Sequence, residues 1–417
     1  MIDRRGFLAI LGASGLGWPG TLEHFSLRAQ EGGAPEDEEF WTFVRSQFLV
    51  PDDRVYLNNG TLGPSPRVVV EAVAEHTRRV AATFPPGVPW EALKDSLGTL
   101  LDGDPEGFVF PRNTTEGMSF VANGLDIGPG DEVLSTDHEH IGGREPWSSV
   151  CRRRGAELRT VALPTPAQSS EQLFAAIAAG LTPNTSVLSV SHVTFTTGTV
   201  LPVRRLADLC RERGIIFAVD GAHPPGMCQV SLRSLGGDFY ASSPHKWLLA
   251  PQGTGLLYLA PEWRTWLWPS VASGGWDDLD LGAQRFNHLG TFDESRLVGL
   301  LAAVEFMNAL GMARVEARVL YLNRRLKEEL IRIPGITVVS PELLDLSSGM
   351  VSFGLDGVES LRLQRFLARE ANIRTRVIGE YDYGWMRLST HIYNTMRDVE
   401  TVVELVDRVA RRGIPSD

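Results

Sequence analysis

The sequence predicts an α/β protein, a large domain on a mainly parallel sheet followed by a smaller C-terminal α+β domain, and three features carry that expectation. From about residue 130 to 260, short apolar runs alternate with helical segments, the pattern of βα units feeding a parallel sheet. A long helical stretch from about residue 297 to 331, weakened near Gly311, follows as a connector. Beyond Pro334-Gly335 the order changes to two strands, a helix, two strands and a helix. The chain has 417 residues, and domains of about 100–200 residues imply two or three packed units. The expected boundaries are an N-terminal leader over 1–30, a segment over 31–60, the large domain over 61–296, and the connector with the small domain over 297–417.

The expected strands of the large domain are Glu132–Thr136, Glu157–Leu163, Ser186–Ser191, Ile215–Asp220, Phe239–Ser242 and Gly255–Leu259. Between them, Pro202–Arg213 places Leu206, Leu209 and Cys210 at helical spacing, and Gly214 follows as a natural C-cap. Leu300, Val304, Met307 and Leu310 share one face of the connector. The small domain reads as strands Ile336–Val339 and Gly349–Phe353, helix Glu359–Glu370, strands Ile373–Val377 and Trp385–Ser389, and helix Asp398–Ala410.

Hydrophobic residues make up 43% and charged residues 22%, the balance of a soluble globular body. A formal net charge of −11 repels nucleic acid and anionic lipid, so an anionic ligand must be held by local groups. Three cysteines, Cys151, Cys210 and Cys228, do not make a disulfide framework, and two of them fall in amphipathic helices where a small buried thiol is the simplest role. Arg4-Arg5-Gly6-Phe7-Leu8 resembles a twin-arginine export signal, with a small-residue cleavage point at Leu27-Arg28-Ala29. That implies an exported, periplasmic protein that travels folded. The alternative is a cytoplasmic protein whose first helix begins with two arginines.

The chemistry-bearing residues sit where expected strands end. Ile215-Ile216-Phe217-Ala218-Val219-Asp220 is an apolar strand closing on a carboxylate, at the edge where open α/β sheets bind ligands. An ionised aspartate there holds a proton on a pyridine nitrogen; Asp-Gly alone also reads as a turn. In Ser243-Pro244-His245-Lys246-Trp247, a lysine lies among residues that enclose it, which lowers its pKa and frees its amine to attack an aldehyde and move a proton. Ser243 and His245 are placed beside it to bind phosphate oxygens. Pro111-Arg112-Asn113-Thr114-Thr115-Glu116 leads from a strand into a helix, so Thr114 and Thr115 are placed to cap it and bind an anion; such pairs also occur for capping alone. Asp137-His138-Glu139-His140 follows another strand, and His140 is placed to stack on an aromatic ligand. Histidines 138, 140, 192, 223 and 245 as a metal cluster would lack recognised zinc spacing and leave Lys246 and Asp220 without a role, so no metal is expected.

Together with Pro146-Trp147, Ser191-His192-Val193, Asp220-Gly221-Ala222-His223 and Gly253-Thr254-Gly255, these motifs resemble the class V aminotransferase family, in order, from Tyr56-Leu57-Asn58-Asn59-Gly60 to Arg397. The resemblance implies a fold-type I pyridoxal 5′-phosphate (PLP) enzyme with a mainly parallel seven-stranded sheet. It also implies Lys246 as the Schiff-base lysine, Asp220 as the pyridine-nitrogen partner and His140 as the ring-stacking residue. Thr115, Ser243 and His245 become phosphate ligands with Thr114 adjacent, and His223 lies near the phenolic oxygen. Thr291, in Gly290-Thr291, is expected to reach the phosphate of a neighbouring subunit, which implies a homodimer. Arg387 is expected to clamp the substrate's α-carboxylate, with Asn59 also at the substrate. The Asn-Asn-Gly opening and Asp-Gly-Ala-His are similar to the isopenicillin N epimerase-like subgroup.

Two departures from relatives stand out: Asn372 through Trp385 lacks the loop cysteine of cysteine desulfurases, and Phe195 stands where those enzymes favour asparagine. The expected activity is therefore that of a class V aminotransferase on an amino acid or related amine, with epimerase or carbon–sulfur lyase outcomes open. A dehydrogenase on the same sheet type lacks a Gly-x-Gly-x-x-Gly turn here, and a non-catalytic PLP-binding module is the remaining alternative. Trp263, Trp266, Trp268 and Trp276 read either as an apolar substrate wall or as packing residues.

Overall fold

The structure is a computed structural model that describes residues 25–29, 32–83 and 87–415. Helix α1 (Glu38–Arg45), strand β1 (Val55–Tyr56) and helices α2 (Arg67–Thr83) and α3 (Trp90–Leu101) lead into the large sheet. That sheet is made of β2 (Phe108–Val109), β3 (Glu132–Thr136), β4 (Glu157–Val161), β5 (Thr185–Ser191), β6 (Ile216–Asp220), β7 (Phe239–Ser242) and β8 (Leu256–Leu259). Helices α4 (Thr114–Gly124), α5 (Ile141–Arg154), α6 (Ser170–Gly180) and α7 (Val203–Arg213) alternate with its strands.

The strand order is β2-β8-β7-β6-β5-β3-β4, parallel from β4 through β7, with β8 antiparallel to both neighbours. Both faces are covered, which is why β5 and β6 carry near-continuous buried runs such as Val187, Leu188, Val190 and Phe217 to Val219. Strand β3 has β4 on one side and β5 on the other, so the winding reverses between β3 and β5. At such a reversal the two connections leave in opposite directions and open a crevice beyond the strands' carboxyl ends. The residues delivered there are Asp137 to His140 after β3, Ser191 and His192 at β5, and Asp220 to His223 at β6.

Helix α8 (Ser295–Leu310) is buried almost all round, the pattern of a helix inside a core. Gly311, at φ +82°, breaks it from α9 (Met312–Leu330), and the two helices meet at 81°. Among the described residues no single helix is long and apolar enough to cross a membrane. The small domain holds β9 (Ile336–Val338), β10 (Met350–Leu355), α10 (Ser360–Ala371), β11 (Ile373–Arg374), β12 (Arg376–Ile378), β13 (Trp385–Ser389) and α11 (Met396–Arg412). Its antiparallel sheet runs β12-β13-β10-β9. Val399, Val402, Val406 and Val409 bury one stripe of α11, and Thr395 and Asp398 close its start by reciprocal capping.

The stretch expected as one strand over Ile373–Val377 is two. Backbone at Ile373 and Arg374 pairs in parallel with β1, whereas Arg376 to Ile378 pairs with β13, so the chain changes sheets at Thr375. Each half finds its obligatory hydrogen bonds on a different partner. The Arg4-Arg5 run lies outside the described residues. Residues 25–29 are helical, and Phe25 is buried with its ring stacked 4.4 Å from that of Phe306. Ala29 is buried too, and Arg314 Nη1 donates to its carbonyl. Cys151 and Cys210 are buried on α5 and α7, Gly214 caps α7 at φ +69°, and all three cysteines are free.

Candidate active site

A cavity of about 260 Å³ opens beyond the carboxyl ends of β3, β5, β6 and β7, roofed by the small domain. Lys246 lies on the turn after β7, its amide donating to Ser243 O at 2.9 Å. Its amine is pushed down to about 8, first by burial and then by Arg387 and Arg376, while Asp220 opposes the fall. A minority of the amine, far larger than for an ordinary lysine, is therefore neutral near physiological pH, the form that attacks a carbonyl or takes a proton. Asp220 closes β6, buried, with Oδ1 accepting from Ala222 N at 2.9 Å. Burial raises its pKa and the Lys246 charge lowers it.

At one end of the cavity, α4 presents its N-terminus. The threonines were expected to cap this helix, but the cap is Asn113, whose Oδ1 accepts from Glu116 N at 2.9 Å. Its extended backbone lets the short amide side chain turn back onto the first turn, and this leaves Thr114 and Thr115 inside that turn, lining the cavity. Ser243 Oγ accepts from Thr114 N at 3.1 Å and lies 2.8 Å from Thr114 Oγ1. Asn113, Thr114, Thr115, Ser243 and His245 thus form a group of polar atoms at a helix start, with α4 supplying the partial positive charge that favours an anion.

His140 caps α5 by accepting from Gly142 N at Nδ1, 3.0 Å, so its proton sits on Nε2. Burial, then Lys246 and the two arginines, lower it to about 3, which keeps the ring neutral. Phe195 meets that ring edge-on at 5.0 Å. His223 Nδ1 accepts from Trp247 Nε1 at 3.0 Å, so its Nε2 carries hydrogen, buried and without a partner among the described residues. Gly142 and Gly143 are needed for this closeness: a Cβ would fall 2.3 Å from Thr115 Oγ1 at the first and 2.4 Å from Asp220 Oδ2 at the second. Behind them Glu139 is buried, accepting from Thr136 Oγ1 at 2.6 Å, Ser191 Oγ at 2.5 Å and Ser191 N at 3.1 Å.

Arg387 is 2% exposed and faces the cavity from β13. Its Nη1 donates to Phe195 O at 2.7 Å and its Nη2 to Thr61 Oγ1 at 3.2 Å, leaving Nε without a partner among the described residues. Burial pushes it down to about 9, with Arg376 adding to the fall. Arg376 is its register partner on β12, also lines the cavity, and is paired with Glu380. Sequence reading passed over Arg376 because its position depends on that register. It also passed over Gly142 and Gly143, although two glycines opening a helix are themselves a signal of close approach.

Two expected residues lie elsewhere. Asn59 is behind Lys246, not on the cavity wall: its Nδ2 donates to Lys246 O at 3.4 Å and its Oδ1 accepts from Tyr393 OH at 3.0 Å, so both ends of the amide are used. Thr291 is exposed on the surface of the single chain, away from the cavity lining. None of the four tryptophans of residues 263–276 lines the cavity; Trp266 and Trp268 are exposed and Trp263 packs on Phe239.

The sequence pattern of the family described as Aminotransferase class-V matches residues 89–402. The chain belongs to the class V aminotransferase family. It is 32% identical to the isopenicillin N epimerase of Streptomyces clavuligerus over 389 residues, covering 88% of this chain and 98% of that one. The isopenicillin N epimerase of Amycolatopsis lactamdurans is likewise 32% identical, over 89% and 99% of the two chains. Among solved structures, the apo cysteine desulfurase of Thermococcus onnurineus NA1 superposes with a TM-score of 0.78 at 24% identity, over 88% of this chain and 98% of that one. The fold is the fold-type I α/β architecture, with a mixed seven-stranded sheet.

The cofactor of this family is pyridoxal phosphate, and the cavity fits it. A phosphate end, a buried carboxylate for a ring nitrogen, an unpartnered His223 N–H, a neutral ring at His140 and a glycine pair that keeps the wall clear occur together beside Lys246.

Proposed function

We propose that this protein is a PLP-dependent, aminotransferase-type enzyme acting on an α-amino acid, with Lys246 both holding the cofactor and moving the substrate's α-proton. The observation that carries this reading is that Lys246, Asp220 and Arg387 line one cavity with three different jobs. Bound pyridoxal phosphate supplies the electron sink for the bond that breaks at the α-carbon. Arg387 offers its planar fork to the α-carboxylate and fixes which α-bond faces Lys246. The Lys246 amine, lowered to about 8, accepts that proton and returns it. Asp220 keeps a proton on the ring nitrogen, and His140 with Phe195 closes one side of the cavity against water.

A second reading, epimerisation at the α-carbon, is favoured by the 32% identity to the two isopenicillin N epimerases. It needs the same groups and differs in where the proton returns. A cysteine-dependent desulfurase is disfavoured: residues 372–385 contain no cysteine, and none of Cys151, Cys210 and Cys228 lines the cavity. The deciding experiment incubates the PLP-loaded enzyme with L- and D-amino acids in D2O. A keto acid supports transamination, inverted amino acid deuterated at the α-carbon supports epimerisation, and sulfide release supports a lyase. No turnover of any amino acid would leave a non-catalytic binding module and sink the proposal.

We also propose a homodimer, in which exposed Thr291 meets the cofactor phosphate of the second subunit, and export by the twin-arginine route. Sedimentation of wild type and Thr291→Arg tests the first: a wild-type monomer refutes it. Fractionation of the expressing host tests the second, and enzyme confined to the cytoplasm refutes it.

A further inference from the structure

We propose that the protein captures its phosphorylated cofactor together with one proton, carried at Nε2 of His245. This inference rests on reading the cavity as a pyridoxal phosphate site. His245 lines the phosphate end with Thr114, Thr115 and Ser243. Its Nδ1 lies 2.9 Å from Thr254 O, and a carbonyl oxygen only accepts, so Nδ1 carries hydrogen. Thr254 itself is fixed, its hydroxyl donating to Pro251 O at 2.7 Å. Nε2 is therefore the nitrogen left for the cavity, and in the neutral ring it is a bare lone pair.

A bare lone pair facing a phosphate dianion is repulsive, because every phosphate oxygen is an acceptor. The two become partners only when a proton lies between them, with His245 as the imidazolium. Without the phosphate the ring is neutral: burial holds it down to about 4, and the neighbouring Lys246 charge works in the same direction. The other ionisable groups lining the cavity are His140, Asp220, His223, Arg376 and Arg387, while Asn113, Thr114, Thr115 and Ser243 around the phosphate end are neutral. No ion pair to His245 forms among the described residues, so the incoming dianion is the group that raises its proton affinity. The balance is simple: one N–H bond forms at Nε2, the proton comes from solvent, and no other covalent bond changes. The other four phosphate-end residues offer hydroxyl, amide and backbone donors that need no such proton.

The test uses the full-length apoprotein and pyridoxamine 5′-phosphate, which has no aldehyde to condense with Lys246. Calorimetry at pH 7.5 in two buffers of different ionisation enthalpy counts protons taken up on binding, for wild type and His245→Asn. Asparagine offers an N–H donor that does not titrate. The expected result is about one proton more in wild type than in His245→Asn; equal uptake overturns the proposal. Nitrogen-15 NMR of histidine-labelled wild type supplies a second readout that needs no variant. One histidine should change from a single ring N–H to two when the ligand is added, and no such change overturns the proposal even if His245→Asn fails to fold. A protein that binds no pyridoxamine phosphate refutes the cofactor reading itself. Binding without the histidine change refutes only the role of His245.

Discussion

Gly143→Ala is the sharpest perturbation the structure offers, because it moves one catalytic group and leaves the fold alone. The added Cβ would lie 2.4 Å from Asp220 Oδ2, where real Cβ contacts do not fall below 3.0 Å. The carboxylate must therefore withdraw by at least roughly half an ångström, or α5 must lift. Withdrawal is resisted because Oδ1 is anchored on Ala222 N at 2.9 Å, so the cost falls on whatever Oδ2 holds. A hydrogen bond between charged groups contributes about 1.5–3 kcal/mol, and each 1.4 kcal/mol is tenfold. Loss of the Asp220 contact to the ring nitrogen should thus loosen pyridoxal phosphate by about 10- to 150-fold. The same change should not destabilise the apoprotein, since alanine is a better helix former than glycine by about 1 kcal/mol, and Gly143 does not have a positive φ. Titrating apoprotein with cofactor by absorbance, with urea melts alongside, separates the two effects. Binding within about threefold of wild type and an unchanged spectrum would refute the claim that Asp220 holds the ring nitrogen.

Lys246→Ala should leave no lysine on which borohydride fixes the cofactor, and a reduced adduct mapped to another lysine would refute the assignment. In the apoprotein the Lys246 amine lies near 8, below its ordinary 10.5, so the unfolded chain binds the extra proton between those values. Stability should therefore rise with pH across that window and the rise should shrink in Lys246→Met; identical slopes would contradict it. Arg387→Lys should lower kcat/KM for α-amino acids by about 100-fold while sparing amines that lack a carboxylate, because lysine offers a single point charge in place of the planar fork that Phe195 O and Thr61 Oγ1 hold ready for the carboxylate; equal losses on both would refute the clamp. Truncation through Ala29 removes the buried Phe25 ring and should cost about 2–3 kcal/mol in urea melts; an unchanged midpoint would refute a packing role for that ring.

What sequence alone made legible was local. The strands ending at Thr136, Ser191, Asp220 and Ser242 close at the expected residues, each run stopping at a polar side chain, and Asp220 among them lines the cavity. Lys246 stood out because its neighbours are residues that enclose it. Where two local solutions compete, the reading failed: Asn113 and Thr114 are both good caps, and only the approach of Ser243 to Thr114 shows which side chain is free to close α4. Pairings decided by tertiary structure were also hidden. Nothing in Ile373–Val377 announces that its two halves bond to strands from opposite ends of the chain, and Arg376 becomes a cavity residue only through its register with Arg387.

Glu139 shows why that boundary matters for chemistry. In sequence it is one of four polar residues after a strand; in space it is a fully enclosed carboxylate whose hydrogen bonds come from hydroxyls and a backbone N–H. Burial pushes it up to about 7, and the Asp220 charge contributes to that rise. Ser191, which supplies two of its bonds, is the register partner of Asp220 on the adjacent strand, so Glu139 is tied to the segment that aims Asp220. In its ionised form, whose share grows as pH rises through about 7, Glu139 makes that carboxylate a stronger holder of a cationic N–H, the state in which a pyridine ring draws electrons best. The sequence identifies the aspartate, but how strongly it works is adjusted by a glutamate in the loop after β3, and that coupling exists only once β3, β5 and β6 lie side by side.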